Sequence, residues 1–301
     1  MMNSLKNLQG LVICLVVLAV MLIAAYFIAP VIKSPDESLL DTSPAAVQPR
    51  VLTAVIGLVL VLGVAYATRE SLNWAVGSRQ IVLMVVGAIV YGVFAWLFNG
   101  QTFTLPALSQ VTLEPALVVP AFFGFMFGPA VGFMTGAAGY VVSELFVGLV
   151  SPHWAVAHGV IGLVAGMANL MSNERQSLDA ATAIAGVGGL IAAAFFFASP
   201  ATSLSFFMGL SVLVGVGLAI ALRFAFPNRQ GWALATLWGS TGVIVGLGFA
   251  SVADVWLTGV TLAEAIEGEF IPAAGPGLIS LAILLPIVMI VYDMVQEPTS
   301  E

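Results

Sequence analysis

The sequence predicts an all-α protein, a polytopic transmembrane helical bundle of about ten helices. Hydrophobic residues make up 60% of the 301 positions and charged residues 8%. A soluble fold cannot hide that much apolar surface, whereas a chain surrounded by lipid must display it. Charge-free runs of membrane length recur along the chain. They are continuous rather than alternating, which selects helices over a closed barrel.

The elements follow in order. Residues 10–30 form an apolar run behind Lys6. A cleaved signal peptide is the competing reading, but the run is long for one and Ala29-Pro30 is a poor cleavage site, so a retained helix is expected. Pro30 to Arg50 reads as an extended polar loop broken by prolines. Spans are expected at 51–67 and 80–98, then a loop at 101–114 without Lys or Arg. From Glu114 to Val150 the chain is too long for one crossing and fits two short helices meeting at Gly128-Pro129. Gly124, Gly128, Gly132 and Gly136 recur every fourth residue, on one helix face. Small residues at this spacing let a neighbouring helix come close in lipid, so these four form the expected packing seam. Further spans are expected at 155–171, 180–198, 202–222 and 232–250. An acidic segment at 251–271 holds a capping box from Thr261 to Glu264, and the last span covers 273–292.

Lys and Arg orient the bundle. With the N-terminus in the cytoplasm, alternating crossings put Lys6, Arg69, Arg79, Arg175, Arg223 and Arg229 inside, and only Lys33 and Arg50 outside. Both termini are then cytoplasmic, in a multi-pass plasma-membrane protein.

On that topology several polar groups gather at the outer face. Glu144 lies roughly 9 Å deep at the helical rise, six residues before Val150, and His158 lies at similar depth in the next helix. Asn99, Gln101, Glu114, Trp154, Asp254 and Trp256 belong to the same side. A carboxylate inside an apolar helix is expensive and marks a functional site by default, although a snorkelling or water-exposed Glu144 is the alternative. Trp154 and Trp256 fit an interfacial belt as well as a pocket wall, and His158 fits helix packing as well as ligand contact. Outer loops with carboxylates and aromatics but no cation after Gly100 suit a neutral or cationic small molecule.

Other chemistry is excluded. The net charge of −7 argues against nucleic acid. One cysteine, Cys14, and two histidines offer no structural zinc or iron–sulfur site, so no metal and no cofactor is expected. Neither lysine follows a glycine, which removes a Walker A loop, and no HExxH or GxSxG occurs. The chain is not expected to be an enzyme. No string of buried acids runs along the spans, as a proton relay would need. A site at one face looks like capture rather than a midplane alternating-access pathway.

Two blocks carry a resemblance. PALVVPAFFGFMFGPAVGFMTGAAGYVVSELFVG (Pro115 to Gly148) with WAVAHGVIGLVAGM (Trp154 to Met167), and the block from Gly248 to Asp293, resemble the substrate-binding S components of energy-coupling factor (ECF) transporters. The resemblance covers roughly 79–175 and 232–294. It implies a six-helix core within 79–301, preceded by an added helix pair in 1–78 and interrupted by a hairpin at about 180–222. It further implies a vitamin-like substrate captured at the outer face by Asn99, Gln101, Glu144, Trp154 and His158. Delivery would need a separate transmembrane subunit and two ATP-binding subunits. Ala88 and Gly92 in GAIVYGVFAW match the family's docking pattern, with Gly replacing the usual second Ala. A self-sufficient secondary transporter of a small organic solute is the alternative function, and a ligand-free membrane scaffold a third.

Overall fold

The computed structural model describes residues 2–32, 43–98, 114–199 and 203–296. Among them the regular elements are helical: α1 (Met2–Ile32), α2 (Pro44–Ala67), α3 (Ser78–Phe98), α4 (Val118–Phe127), α5 (Pro129–Val147), α6 (Pro152–Met167), α7 (Glu174–Ala198), α8 (Phe206–Ala225), α9 (Gln230–Leu257), α10 (Leu262–Ala265) and α11 (Ile271–Gln296). Nine helices among the described residues are long and apolar enough to cross a membrane, and the helix over Pro115–Phe127 is shorter. The chain is a polytopic helical bundle.

The bundle has an inner and an outer layer. In α5, α6 and α9, 72% of the spanning window is buried, against 22–39% in the other spans. α5 packs between α3 and α6, and α6 between α5, α9 and α4. Outside these, α1 rests on α5, α2 on α6, and α8 on α11. Exposed aliphatic side chains such as Val16, Val59, Val82 and Leu190 cover the outer helices, as a lipid-facing surface requires. The hairpin α7–α8 is joined to the inner layer by specific contacts. The Trp238 indole donates to Ser177 Oγ at 2.8 Å, and Gly275 of α11 lies against Ser211 of α8.

The glycine ladder is the inner seam, with one correction. A β-carbon on Gly124 or Gly132 would overlap the Gly162 carbonyl, and one on Gly136 the His158 carbonyl. Backbone therefore touches backbone where α4, α5 and α6 meet, which only glycine permits. Gly128 has another task. Its φ of 100° is unfavourable for any residue with a β-carbon; it ends α4, and Pro129 opens α5. It is the break, not a packing rung.

Ala88 and Gly92 lie on the face of α3 that meets α5. Both are buried; Gly92 lies against Val142 and the Gly139 carbonyl, and Gly139 against the Ala88 carbonyl. α5 of the same chain packs on this small face of α3. The expected loop from Pro30 to Arg50 is shortened at both ends. α1 continues to Ile32, and α2 begins at Pro44, a first-turn residue that lacks only an N–H a helix leaves unused there. α9 likewise runs on to Leu257 and carries Asp254 on its final turns.

Candidate functional site

Where α5 ends and α6 begins, a cavity of about 350 Å³ opens among α3, α5, α6, α9 and the start of α11. Tyr91, Glu114, Tyr140, Glu144, Trp154 and His158 line it. The local sequence explains how the two central groups arrive there. α5 stops at Gly148, which takes the left-handed conformation (φ 80°) while the Leu149 N–H bonds to the Glu144 carbonyl at 3.0 Å, a glycine C-cap. That turn brings the Ser151 N–H to Glu144 Oε2 at 2.6 Å. The carboxylate thus ties the α5 end to the α6 start, and the group still borders the cavity. Pro152 then opens α6, and His153, Trp154 and His158 follow within its first two turns.

His158 forms the centre of the wall. Its ring stacks on Tyr140, with centroids 4.0 Å apart and 13° between planes, and Tyr91 stands 6.1 Å away. His158 Nδ1 lies 2.8 Å from the Trp154 carbonyl. A carbonyl only accepts, so Nδ1 carries the hydrogen, and in the neutral ring Nε2 is left as an acceptor. Glu114, just ahead of the short α4 helix, lines the same cavity; burial pushes its carboxyl up to about 7. Its backbone N–H is held by Ser280 Oγ at 2.7 Å.

Beside the cavity is a second polar knot. His153 Nε2 sits 3.0 Å from Asp254 Oδ1, and the Trp154 indole N–H donates to Asp254 Oδ2 at 3.0 Å. His153 and Asp254 are 3% and 5% exposed, so this carboxylate is buried but fully engaged.

Of the residues expected at the site, Glu144, Trp154 and His158 come together around one cavity. Asn99 and Gln101 lie outside the described residues, although Phe98, which precedes them, lines the cavity. Trp256 is remote from the lining and bonds Thr53 of α2. Sequence reasoning overlooked Tyr91, Tyr140 and His153. Tyr140 was readable, four residues before Glu144 on the same helix face. Tyr91 was not, because it joins only through the packing of α3 on α5. Among the described residues, the opposite end of the bundle has no comparable ring of acids and aromatics. There Asn73 bonds the Asn169 carbonyl and Asn169 the Phe125 carbonyl, and Arg223 pairs with Asp179.

Residues 76–203, from just before α3 through α7, match the family model of the ECF-type riboflavin transporter S component. Similar curated proteins include a UPF0397 protein of Vibrio atlanticus, 34% identical over 99 residues, which are 33% of this chain and 52% of that protein. A UPF0397 protein of Aliivibrio fischeri is 31% identical over 99 residues, with the same shares of 33% and 52%. One of Photobacterium profundum is 35% identical over 90 residues, 30% of this chain and 47% of its own. The chain spans about half the length of the curated relatives it matches. No solved structure matches it. Over residues 76–203, which hold α3 to α7 and the glycine seam, this chain is similar to the S components of ECF-type riboflavin transporters.

Proposed function

We propose that this chain is the substrate-capturing membrane subunit of an ECF-type uptake transporter. It takes a vitamin or similar micronutrient into the cavity from the extracytoplasmic side and delivers it only with a separate transmembrane subunit and two ATP-binding subunits. The observation that carries this reading is a cavity at one end of the bundle in which two carboxylates face a wall of aromatic rings. The wall is rich in acceptors: Glu114, Glu144 and His158 Nε2 accept, while the Trp154 N–H and the His158 Nδ1–H are already used. Such a site selects a flat, neutral or cationic molecule that brings its own donors. Riboflavin, the substrate in the matched family's description, is neutral, planar and hydroxyl-rich, and is the first probe.

Arg69, Arg79, Arg175, Arg223 and Arg229 lie at or beyond helix ends away from the cavity, which supports a cytoplasmic basic end and an outward cavity. The test begins with mass spectrometry of small molecules retained through purification in detergent, then titration with riboflavin. Liposomes containing this chain alone should not accumulate the bound molecule, and adding the transmembrane and ATPase subunits with ATP should start uptake. Accumulation by the chain alone under an ion gradient would favour a self-sufficient secondary transporter.

A further inference from the structure

We propose that Asp254 is a positioning residue for the cavity: it fixes the Trp154 ring as a flat wall and takes up that ring's only donor. The inference rests on the capture role proposed for the cavity, but its central claim is testable without any substrate.

Asp254 does not line the cavity. It sits near the end of α9, where its carbonyl accepts both the N–H and the hydroxyl of Thr258, at 2.9 and 2.7 Å, so its backbone is held. Each carboxylate oxygen then takes one of two consecutive residues in the first turn of α6, His153 on Oδ1 and Trp154 on Oδ2. One buried side chain on α9 thereby grips the first turn of α6. An indole has a single polar group, its N–H. With that hydrogen committed to Asp254, Trp154 offers the cavity only its π surface. A hydrogen bond to an anion also enriches the ring in electron density, which favours cationic or electron-poor rings over it. Trp154 is 6.3 Å from the His158 ring, so its tilt sets the width of the slot bounded by the His158–Tyr140 stack.

The experiment uses the full chain in detergent, labelled with 5-fluorotryptophan and followed by fluorine NMR. Six tryptophans are present, and Trp154→Phe identifies the signal of Trp154. Asp254→Ala should shift and broaden that signal and leave the other five in place. Asp254→Asn, whose amide oxygen still accepts the indole N–H, should keep it near the wild-type position, as should His153→Ala. Titrated with riboflavin, Asp254→Ala should weaken binding by about tenfold, the scale of one lost charge-assisted hydrogen bond. Trp154→Phe should do the same, and the double variant should be no weaker than either. A Trp154 signal unmoved by Asp254→Ala would overturn the proposal, and so would losses that multiply in the double variant. A wild-type protein that ignores riboflavin would count against the substrate reading alone, with the Trp154 signal still deciding the role of Asp254.

Discussion

The same two helices, α5 and α6, meet in opposite ways at their two ends. Around Gly132, Gly136 and Gly162 their backbones touch, with no side chain between, and Gly124 of α4 meets the same Gly162 carbonyl. One turn further on, Tyr140, Glu144, Trp154 and His158 hold them apart around a cavity of about 350 Å³. Close contact at one end makes the gap at the other reproducible. Helices in lipid gain nothing from burying apolar area against each other, so contact rests on packing and interhelical bonds. A cavity between freely sliding helices would collapse. Here the seam sets the helix register and the site occupies the space that register leaves.

The largest expected effect comes from breaking the seam. Gly162→Leu puts a branched side chain into the Gly132 carbonyl, with no flexible neighbour to yield. The expected outcome is loss of the monodisperse peak in detergent size-exclusion chromatography, beyond the roughly 1–3 kcal/mol usual for overpacking. Gly92→Leu should fail in the same assay, since α5 fills that face of α3. A well-folded Gly92→Leu protein would return the pair to a docking role.

Next comes the cavity end, where changes should spare the fold. Glu144→Gln keeps an oxygen for the Ser151 N–H but removes the charge. Riboflavin or a cationic probe should bind about tenfold to a hundredfold more weakly, with the melting temperature little changed. A collapse of the fold instead would make Glu144 a structural cap and no more. Tyr140→Leu removes the ring stacked on His158. Its cost should be about 0.5–1.5 kcal/mol of binding, a few-fold to tenfold in affinity by titration.

Acidity offers a gentler probe. Burial holds the Glu114 proton until about pH 7, so the group is neutral below that value and anionic above it. A cationic probe should therefore bind more tightly as pH rises through about 7, and Glu114→Gln should reduce that rise. An unchanged profile in Glu114→Gln would remove Glu114 from the site. The smallest effect belongs to the outer layer. Val59→Ala on the exposed face of α2 should shift stability by less than about 0.5 kcal/mol and leave binding alone. It calibrates the seam variants against a position that faces only lipid.

Much of this contrast was legible beforehand. Hydrophobic run length located the spans, because a helix must cross a fixed thickness. The spacing of Gly132 and Gly136 marked the seam on α5, because helical spacing puts every fourth residue on one face, and Gly124 reaches it from α4. Glu144 and His158 were readable as a pair because topology alternates and both lie near the same end of consecutive helices. Other features were not legible. Ala88 and Gly92 have the spacing of a helix contact, but spacing does not name the neighbour, and α5 proved to be it. Gly128 was legible as the helix break through Pro129, but its sharing of the ladder's rhythm hid that it adds no packing rung. The link from Asp254 to His153 and Trp154 spans about a hundred positions and has no periodicity to betray it.

By itself the sequence determined the solvent this chain lives in, its helical class, the rough placement of its spans and the acids and rings gathered at one end. These follow from composition and from periods of a few residues, which are local. Which small face meets which, that one carboxylate engages two consecutive residues of another helix, and that the rings around His158 enclose a cavity were decided only by the tertiary structure. Those features depend on helix rotation and register, and a shift of one residue turns a helix face by about 100° at 3.6 residues per turn.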